Sequence, residues 1–132
     1  MLKLEIVTPE KRVLDAEVDS VTVPTASGEA GILPQHAPLV SALKPGVLAY
    51  SIKGSTDCIA VSGGFVEVNN DKVAVLVDSA ETAHEIDASS ARGDRETAER
   101  TAYAAGVVTA EEAEAARENV DLADARIAVA GK

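Results

Sequence analysis

The amino-acid sequence predicts an α+β fold, in which an antiparallel β-sandwich over residues 1–86 is followed by an antiparallel two-helix hairpin over residues 87–132. In the first part, apolar and polar residues alternate in short runs separated by turn-forming residues, which is typical of a sandwich or flattened barrel of many short strands. In the second part, apolar residues recur every three or four positions, which is the spacing of an amphipathic helix.

The strands of the first part are marked by alternation and by the turns between them. Apolar residues alternate at Leu2, Leu4 and Ile6, then at Val21 and Val23, and again at Val66 and Val68. Turn-forming residues lie at Thr8-Pro9, Ser27-Gly28, Lys44-Pro45-Gly46, Lys53-Gly54, Gly63-Gly64 and Asn69-Asn70-Asp71. We interpret Gly63-Gly64 as a bulge or a tight turn between two strands.

The strand predicted at residues 73–77 departs from alternation, because it is apolar on both faces. If its three valines enter the sandwich, Ala74 and Leu76 point away from it. A strand that is apolar on both faces is normally covered on both. We therefore expect the helical part of the chain to cover the outer face of this strand.

Two helices are predicted after residue 86. Asp87 or one of the serines that follow it can cap the first helix, and Gly106 would end it. The second helix begins with a capping box, in which Thr109 is the cap and Glu112 is the third helical residue. Gly131 is its predicted end. Because the connection between the helices is short, they should form an antiparallel hairpin.

The helices carry apolar stripes that consist largely of alanine. The second helix has one stripe at Ala113, Ala116, Val120, Ala123, Ile127 and Ala130, and another at Ala115, Leu122, Ala125 and Val129; the first helix offers Ala88, Ala91, Ala98, Ala102 and Ala105. Alanine permits close approach but buries little area, at about 25 cal/mol per Å². We infer a hairpin that docks weakly and can leave its docking site; the alternative is a permanently packed helical subdomain.

Charge and composition exclude several functions. The net charge of −10 argues against nucleic acid and against direct adhesion to anionic lipid, which both require clustered Lys and Arg. No apolar run approaches the roughly 20 residues that span a bilayer, so we expect membrane association only through partner proteins. The single cysteine, Cys58, lies in an apolar run, which favours a buried structural role in a reducing compartment over a reactive thiol.

No catalytic constellation is recognisable. His36 and His84 are the only histidines, and neither has the neighbours of a zinc site. The sequence also lacks a P-loop and the GxSxG motif of a hydrolase, and its glycines do not form a dinucleotide fingerprint. This pattern indicates a binding and mechanical protein without a catalytic site or resident cofactor.

Five of the six arginines lie in the helical part. They are Arg92, Arg95, Arg100, Arg117 and Arg126. Taken singly, each is explained by pairing along its helix, as in Glu96 with Arg100 or Glu114 with Arg117. Taken together, they give the helices guanidinium groups that can engage an acidic partner loop.

Several segments of the first part carry a family resemblance. The segment GEAGILPQHAPLV at residues 28–40 continues to LKPG at 43–46, VSGGFVEV at 61–68 is followed by VAVLVDSAE at 73–81, and LEIVTP lies at 4–9. In this order they resemble the epsilon subunit of F-type ATP synthases. The resemblance implies a ten-stranded antiparallel β-sandwich followed by a two-helix hairpin, in agreement with the division read from the residues.

The resemblance also implies the partners of the sandwich. In the family it is a non-catalytic part of the central stalk, binds the gamma subunit and lies on the membrane-embedded ring of c subunits. Glu29 matches a position that faces the ring, and Ile32, Leu33 and His36 lie in the same segment. The prolines at 34 and 38 stiffen this loop, which lowers the entropy cost of ordering it on binding.

The family's hairpin lies folded against the sandwich or extends along gamma into the alpha/beta head, where it blocks ATP hydrolysis. Basic residues of the helices then contact an acidic loop of the beta subunit, and the five helical arginines are the candidates here. The weak docking inferred from the alanine stripes suits such a two-state element.

Some family members bind ATP in the folded state through an Ile-Asp-x-x-Arg-Ala motif that follows a glutamate. Glu81, Ile86, Asp87 and Ala91 match this pattern, but Ser90 stands where the arginine belongs. A guanidinium that pairs with phosphate is a strong contact, so its loss predicts weak or absent ATP binding.

Two expectations about setting and function complete the interpretation. We expect a peripheral protein on the cytoplasmic face of the bacterial plasma membrane, attached through the synthase complex. The alternative function is a free-standing small-ligand or nucleotide-binding β-sandwich with a helical lid.

Overall fold

The computed structural model describes residues 1–102 and 109–131. The ten strands are β1 (Leu2–Val7), β2 (Arg12–Val18), β3 (Ser20–Thr25), β4 (Gly28–Ile32), β5 (Leu39–Leu43), β6 (Gly46–Ile52), β7 (Ser55–Val61), β8 (Gly64–Asn69), β9 (Lys72–Val77) and β10 (Ala80–Thr82). A short 3-10 turn (Ala83–Glu85) leads to α1 (Ala88–Ala102) and α2 (Ala110–Ala130). The predicted α+β fold class is confirmed.

The strands form one sheet that folds around a core. Nine of them follow the order β10-β7-β6-β3-β5-β8-β9-β1-β2, and β4 pairs with β3. Strand β2 lies at one end of this order and also contacts β6, so the sheet curls back on itself. The pairs are antiparallel except for β1 with β9, which run parallel and join the first strand to the last long one.

The core is made of branched aliphatic side chains from alternate strand positions. Leu2, Leu4 and Ile6 of β1 are 0% exposed, and Val66 and Val73 from the neighbouring part of the sheet are equally buried. Such side chains pack well between pleated strands, and their removal from water is the main driving force for closing the sheet. Among the described residues, this cluster contains no side chain from either helix.

The predicted cover of the β9 strand is wrong. Its three valines do enter the core, but Leu76 is 52% exposed and Ala74 is half-buried. The helices pack instead near β6 and β7, where Ala125 and Val129 of α2 meet Ala60. The reason is the short connection: the hairpin follows directly after β10, which pairs with β7, so it lies over that side of the sheet.

The helices begin where the sequence predicts. The Asp87 carboxylate accepts a hydrogen bond from the Ser90 backbone N–H (3.1 Å), which caps α1. Thr109 Oγ1 accepts one from the Glu112 N–H (3.1 Å), which is the Thr109 half of the predicted capping box. Gly131 is the C-terminal cap of α2, as predicted. Gly106, the predicted end of the first helix, lies outside the described residues.

The two alanine stripes of α2 have different neighbours. Ala125 and Val129 are buried against the sheet, together with Val47, Cys58, Ala83 and Ile86; we call this group, with Ala60, the helix-docking cluster. Ala116 and Ala123 line the cleft between the helices with Ala98 of α1. Ala115 and Leu122 of the second stripe also line this cleft, so only the Ala125 and Val129 end of that stripe docks on the sheet. Both contacts are small because alanine is short.

We predict that Gly64, the first residue of β8, does not tolerate a side chain. A Cβ there would lie 2.0 Å from the Leu76 carbonyl oxygen and 2.9 Å from Val77 Cα. These are backbone atoms of the paired strand β9 and cannot move aside without breaking the ladder. Gly64→Ala should therefore lower the free energy of unfolding by about 3 kcal/mol, measured by urea denaturation.

Gly31→Ala is the matched control, because a Cβ at Gly31 meets nothing within 4 Å. Its free energy of unfolding should stay within about 0.5 kcal/mol of the unmodified chain. Equal unfolding midpoints for the two variants would contradict the steric explanation.

Candidate functional site

An exposed apolar row crosses four neighbouring strands. Ala42 of β5 is paired with Phe65 of β8, Phe65 with Leu76 of β9, and Leu76 with Val7 of β1. Phe65 is 59% exposed and Leu76 52%, while Val40 beside them on β5 is 73% exposed. We call these five residues the apolar row. Exposed apolar surface of this kind marks sites of protein contact.

The apolar row continues into a groove against α2. The groove has a volume of about 790 Å³, and its walls include Pro9, Pro45 and Leu122 besides three residues of the row. The sequence pattern pointed to this surface only through the doubly apolar β9 strand. Phe65 was missed, although it alternates with the inward-facing Val66 and Val68 and so had to point outward.

In the segment from β4 to β5, some of the predicted contact residues are exposed and one is buried. Glu29 is exposed and Leu33 is 62% exposed, whereas Ile32 is 0% exposed and belongs to the core. His36 is half-buried, and its Nδ1 lies 2.7 Å from the Ala37 carbonyl oxygen. In this conformation Ile32 therefore has no surface to offer a partner, and its role is to anchor the segment.

The loop after β4 is held at its centre by two hydrogen bonds. The Gln35 N–H donates to the Asp71 carboxylate (2.6 Å), in the turn between β8 and β9, and the His36 N–H donates to the Leu33 carbonyl (3.1 Å). Such long-range fastening lowers the entropy lost when a loop binds a partner. The loop is thus held in position next to the sheet and can present Leu33.

The residues that match the ATP-binding motif have other contacts in this structure. The Glu81 carboxylate lies 2.8 Å from Arg126 Nε, and Ile86 packs in the helix-docking cluster. Asp87 caps α1, and Ala91 is 0% exposed. The four residues are near one another in the chain, but each already has a structural role.

The helical arginines fall into two groups. Arg95 is paired with Asp124 of α2 (2.5 Å) and with Glu99, and Arg126 is paired with Glu81 and Asp94. The hydrogen bond and charge of Asp124 raise the pKa of Arg95 above its usual value. The other three are exposed and form no ion pair within residues 1–102 and 109–131: Arg92, Arg100 and Arg117.

The link between sandwich and hairpin is held by Glu85. Its Oε1 accepts hydrogen bonds from the backbone N–H (3.1 Å) and the hydroxyl (3.0 Å) of Thr82, and its Oε2 lies 3.5 Å from Lys11 Nζ. The Thr82 N–H, as the main cause, lowers the pKa of Glu85. The ionised carboxylate therefore ties the 3-10 turn to the sandwich, which leaves α1 and α2 beyond the fastened point.

Metal-ligand clusters and membrane-spanning helices are both absent from the part of the chain that the structure describes. No cluster of three or more potential metal ligands occurs among them, and no described helix is long and apolar enough to cross a bilayer. Cys58, for which the sequence predicts a buried structural role, is half-buried and packs in the helix-docking cluster.

Comparison with known proteins gives the family. Residues 1–83 match the family described as ATP synthase, Delta/Epsilon chain, beta-sandwich domain. The ATP synthase epsilon chain of Desulforamulus reducens is 51% identical over 98 residues, which are 74% of this chain and 74% of that protein. The chain belongs to the epsilon-subunit family of F-type ATP synthases. The epsilon chain of Syntrophobacter fumaroxidans is 50% identical over 99 residues, or 75% of this chain and 74% of that protein.

Over nearly its whole length, the fold of this chain also matches a solved structure. It is a chain of the Euglena gracilis mitochondrial ATP synthase, in a structure that contains OSCP, F1 and the c-ring. The TM-score is 0.80 at 25% identity, over 96% of this chain and 79% of that chain. This epsilon subunit is accordingly a stalk subunit and not a catalytic one. The family assignment also favours the stalk interpretation over the free-standing ligand-binding sandwich.

Proposed function

We propose that this epsilon subunit couples ion flow through the membrane rotor to ATP synthesis and restrains ATP hydrolysis through its two helices. The observation that carries the proposal is the separation of the two parts. Among the described residues, the sandwich core contains no helical side chain, and the helices attach through a second, much smaller cluster. A rigid body suits the transmission of torque, and a separable hairpin suits a reversible regulator.

The apolar row is the proposed binding surface for the gamma subunit. Phe65, Leu76 and Val40 are large side chains that expose more than half of their surface on one face of the sheet. Burying them against an apolar partner surface supplies about 25 cal/mol per Å². Because the backbone beneath them is fully paired in the sheet, binding needs little reorganisation of this subunit.

The segment from β4 to β5 is the proposed contact with the ring of c subunits. Its exposed residues Glu29 and Leu33 offer one charge and one apolar side chain, and His36 lies beside them. A polar loop of a ring subunit can accept both kinds of contact. The pinning of Gln35 to Asp71 supports this role, because it holds the loop in one position.

The restraint of hydrolysis is proposed to come from extension of the hairpin toward an acidic loop of the beta subunit. Arg92, Arg100 and Arg117 are exposed already. Arg126 is paired with Glu81 of the sandwich and would lose this carboxylate when the hairpin leaves. Extension thus presents further positive charge toward an acidic partner.

ATP binding by this subunit is proposed to be weak or absent. Glu81 is paired with Arg126, and Ala91 is completely buried. Ser90, at the position of the motif arginine, is exposed and offers no positive charge for phosphate.

The proposed location is the cytoplasmic face of a bacterial plasma membrane, with attachment through gamma and the c-ring.

We predict that Phe65→Asp and Leu76→Asp each weaken binding to the gamma subunit by about tenfold or more, because a buried charge replaces an apolar contact. Both side chains are more than half exposed, so the fold should persist. The measurement is the affinity of the purified chain for gamma, with circular dichroism as a check on folding. Thr56→Asp on the exposed part of β7 is the control, and equal affinities for all three variants would rule out this surface.

We predict that deletion of residues 87–132 leaves assembly intact and raises ATP hydrolysis. The sandwich should remain folded, because its core contains no helical side chain among the described residues. The measurement is ATPase activity of the assembled complex with the full or the shortened subunit. Unchanged hydrolysis would remove the restraint from the proposal and leave the coupling role standing.

We predict that the purified chain shows no localised NMR shifts at residues 81–91 below roughly millimolar ATP, because the phosphate-pairing guanidinium is missing. Ser90→Arg supplies that group and should tighten binding by about tenfold. Micromolar affinity in the unmodified chain would contradict the proposal.

A further inference from the structure

Arg126 of α2 lies where three elements meet. Its Nε is 2.8 Å from Glu81 Oε1 on β10, and its Nη1 is 3.3 Å from Asp94 Oδ2 on α1. The side chains of Arg126 and Glu81 are only 17% and 29% exposed. A single guanidinium therefore contacts a carboxylate of the sandwich and a carboxylate of the neighbouring helix.

The two contacts of Arg126 have different consequences for the hairpin. Among the ion pairs of the described residues, Arg126 with Glu81 is the one that joins a helix to the sandwich. The pairs of Arg126 with Asp94 and of Arg95 with Asp124 connect α1 and α2 to each other. A hairpin that leaves as one unit keeps the latter pairs and loses only Glu81.

The Glu81 contact is held by charge more than by hydrogen-bond geometry. The Arg126 Nε–H is buried and has no aligned acceptor, although Glu81 Oε1 is near, and the Nη2 to Oε2 distance is 3.5 Å. Coulomb attraction between partly buried groups is strong, yet salt weakens it when water can reach the pair. Loss of one partner leaves the other charge poorly solvated, so each partner matters.

The apolar contribution to docking is small enough for one ion pair to be decisive. The buried residues of the helix-docking cluster are Ala60, Ala125 and Val129. Deleting a contact between such short side chains changes little area. We infer that Arg126 and Glu81 form an electrostatic latch that sets the fraction of time the hairpin spends on the sandwich. This inference rests on the proposed movement of the hairpin and names the contact that regulates it.

Cys58 provides a direct measure of the docked state. It is the only cysteine of the chain, and it is half-buried beneath α2 in the helix-docking cluster. Departure of α2 exposes the thiol further, so the increase in the rate of reaction with a maleimide above that of the docked state reports the open fraction. The purified full-length chain carries this reporter without any added residue.

We predict that Glu81→Gln and Arg126→Gln each raise the labelling rate of Cys58 by about tenfold, the factor that corresponds to ~1.4 kcal/mol. The double variant should react no faster than either single one, because both substitutions remove the same interaction. Added salt should accelerate labelling of the unmodified chain and have little effect on Glu81→Gln.

Asp124→Asn is the matched control, because it removes a carboxylate that pairs with an arginine inside the hairpin. Its labelling rate should stay within about twofold of the unmodified chain. The latch is wrong if Glu81→Gln labels no faster than Asp124→Asn, or if the rates of the two single variants multiply in the double variant.

A second measurement separates the latch from the proposed restraint of hydrolysis. In the assembled synthase, Glu81→Gln should lower ATP hydrolysis, because a hairpin released from the sandwich extends more often. Faster labelling with unchanged hydrolysis supports the latch and contradicts the restraint. Unchanged labelling, together with raised hydrolysis on deletion of residues 87–132, contradicts the latch and supports the restraint.

Discussion

Closure of the sheet around a purely strand-derived core is the constraint on which the rest of the protein depends. Ten short strands bury their aliphatic side chains against one another, and no described helical residue takes part. Removal of these side chains from water is the main driving force for folding of this body. Everything attached to that body, including the pinned loop after β4 and the hairpin, can then serve binding instead of folding.

The hairpin has the opposite balance of forces. Its alanine stripes bring α1 close to α2 and α2 close to β7, but they bury little apolar area. Ion pairs of partly exposed groups supply much of the remaining attraction, and these respond to neighbouring charges and to salt. Such a balance suits the proposed movement of the hairpin, whereas a helix packed by large aliphatic side chains would stay in place.

Much of the fold followed from local sequence signals. Alternation gave the inward-facing residues of β1 and β8, and the caps at Asp87 and Thr109 gave the helix starts, because these signals act over a few residues. The position of the hairpin on the sheet could not be predicted from these local signals. An apolar outer face on β9 indicates that this face contacts protein, but it does not identify the partner. The prediction that the chain's own helices cover it was wrong. Glu81 and Arg126 are 45 residues apart in the sequence, so no local sequence pattern predicts that they pair. The burial of Ile32 in the core, beside the outward-facing Leu33, was likewise not predicted, because it depends on how the strand lies in the folded sheet.

The parallel pairing of β1 with β9 has a consequence for synthesis of the chain on the ribosome. Residues 3–7 of β1 can pair with β9 only after residues 72–76 have been synthesised. The first strand therefore becomes buried only after most of the sandwich has been made. Until then its apolar side chains are accessible to chaperones and to aggregation. The helices are made after the sandwich strands, so they emerge onto a body that can already be folded. A nascent sandwich can therefore be folded before the hairpin that packs on it has been made.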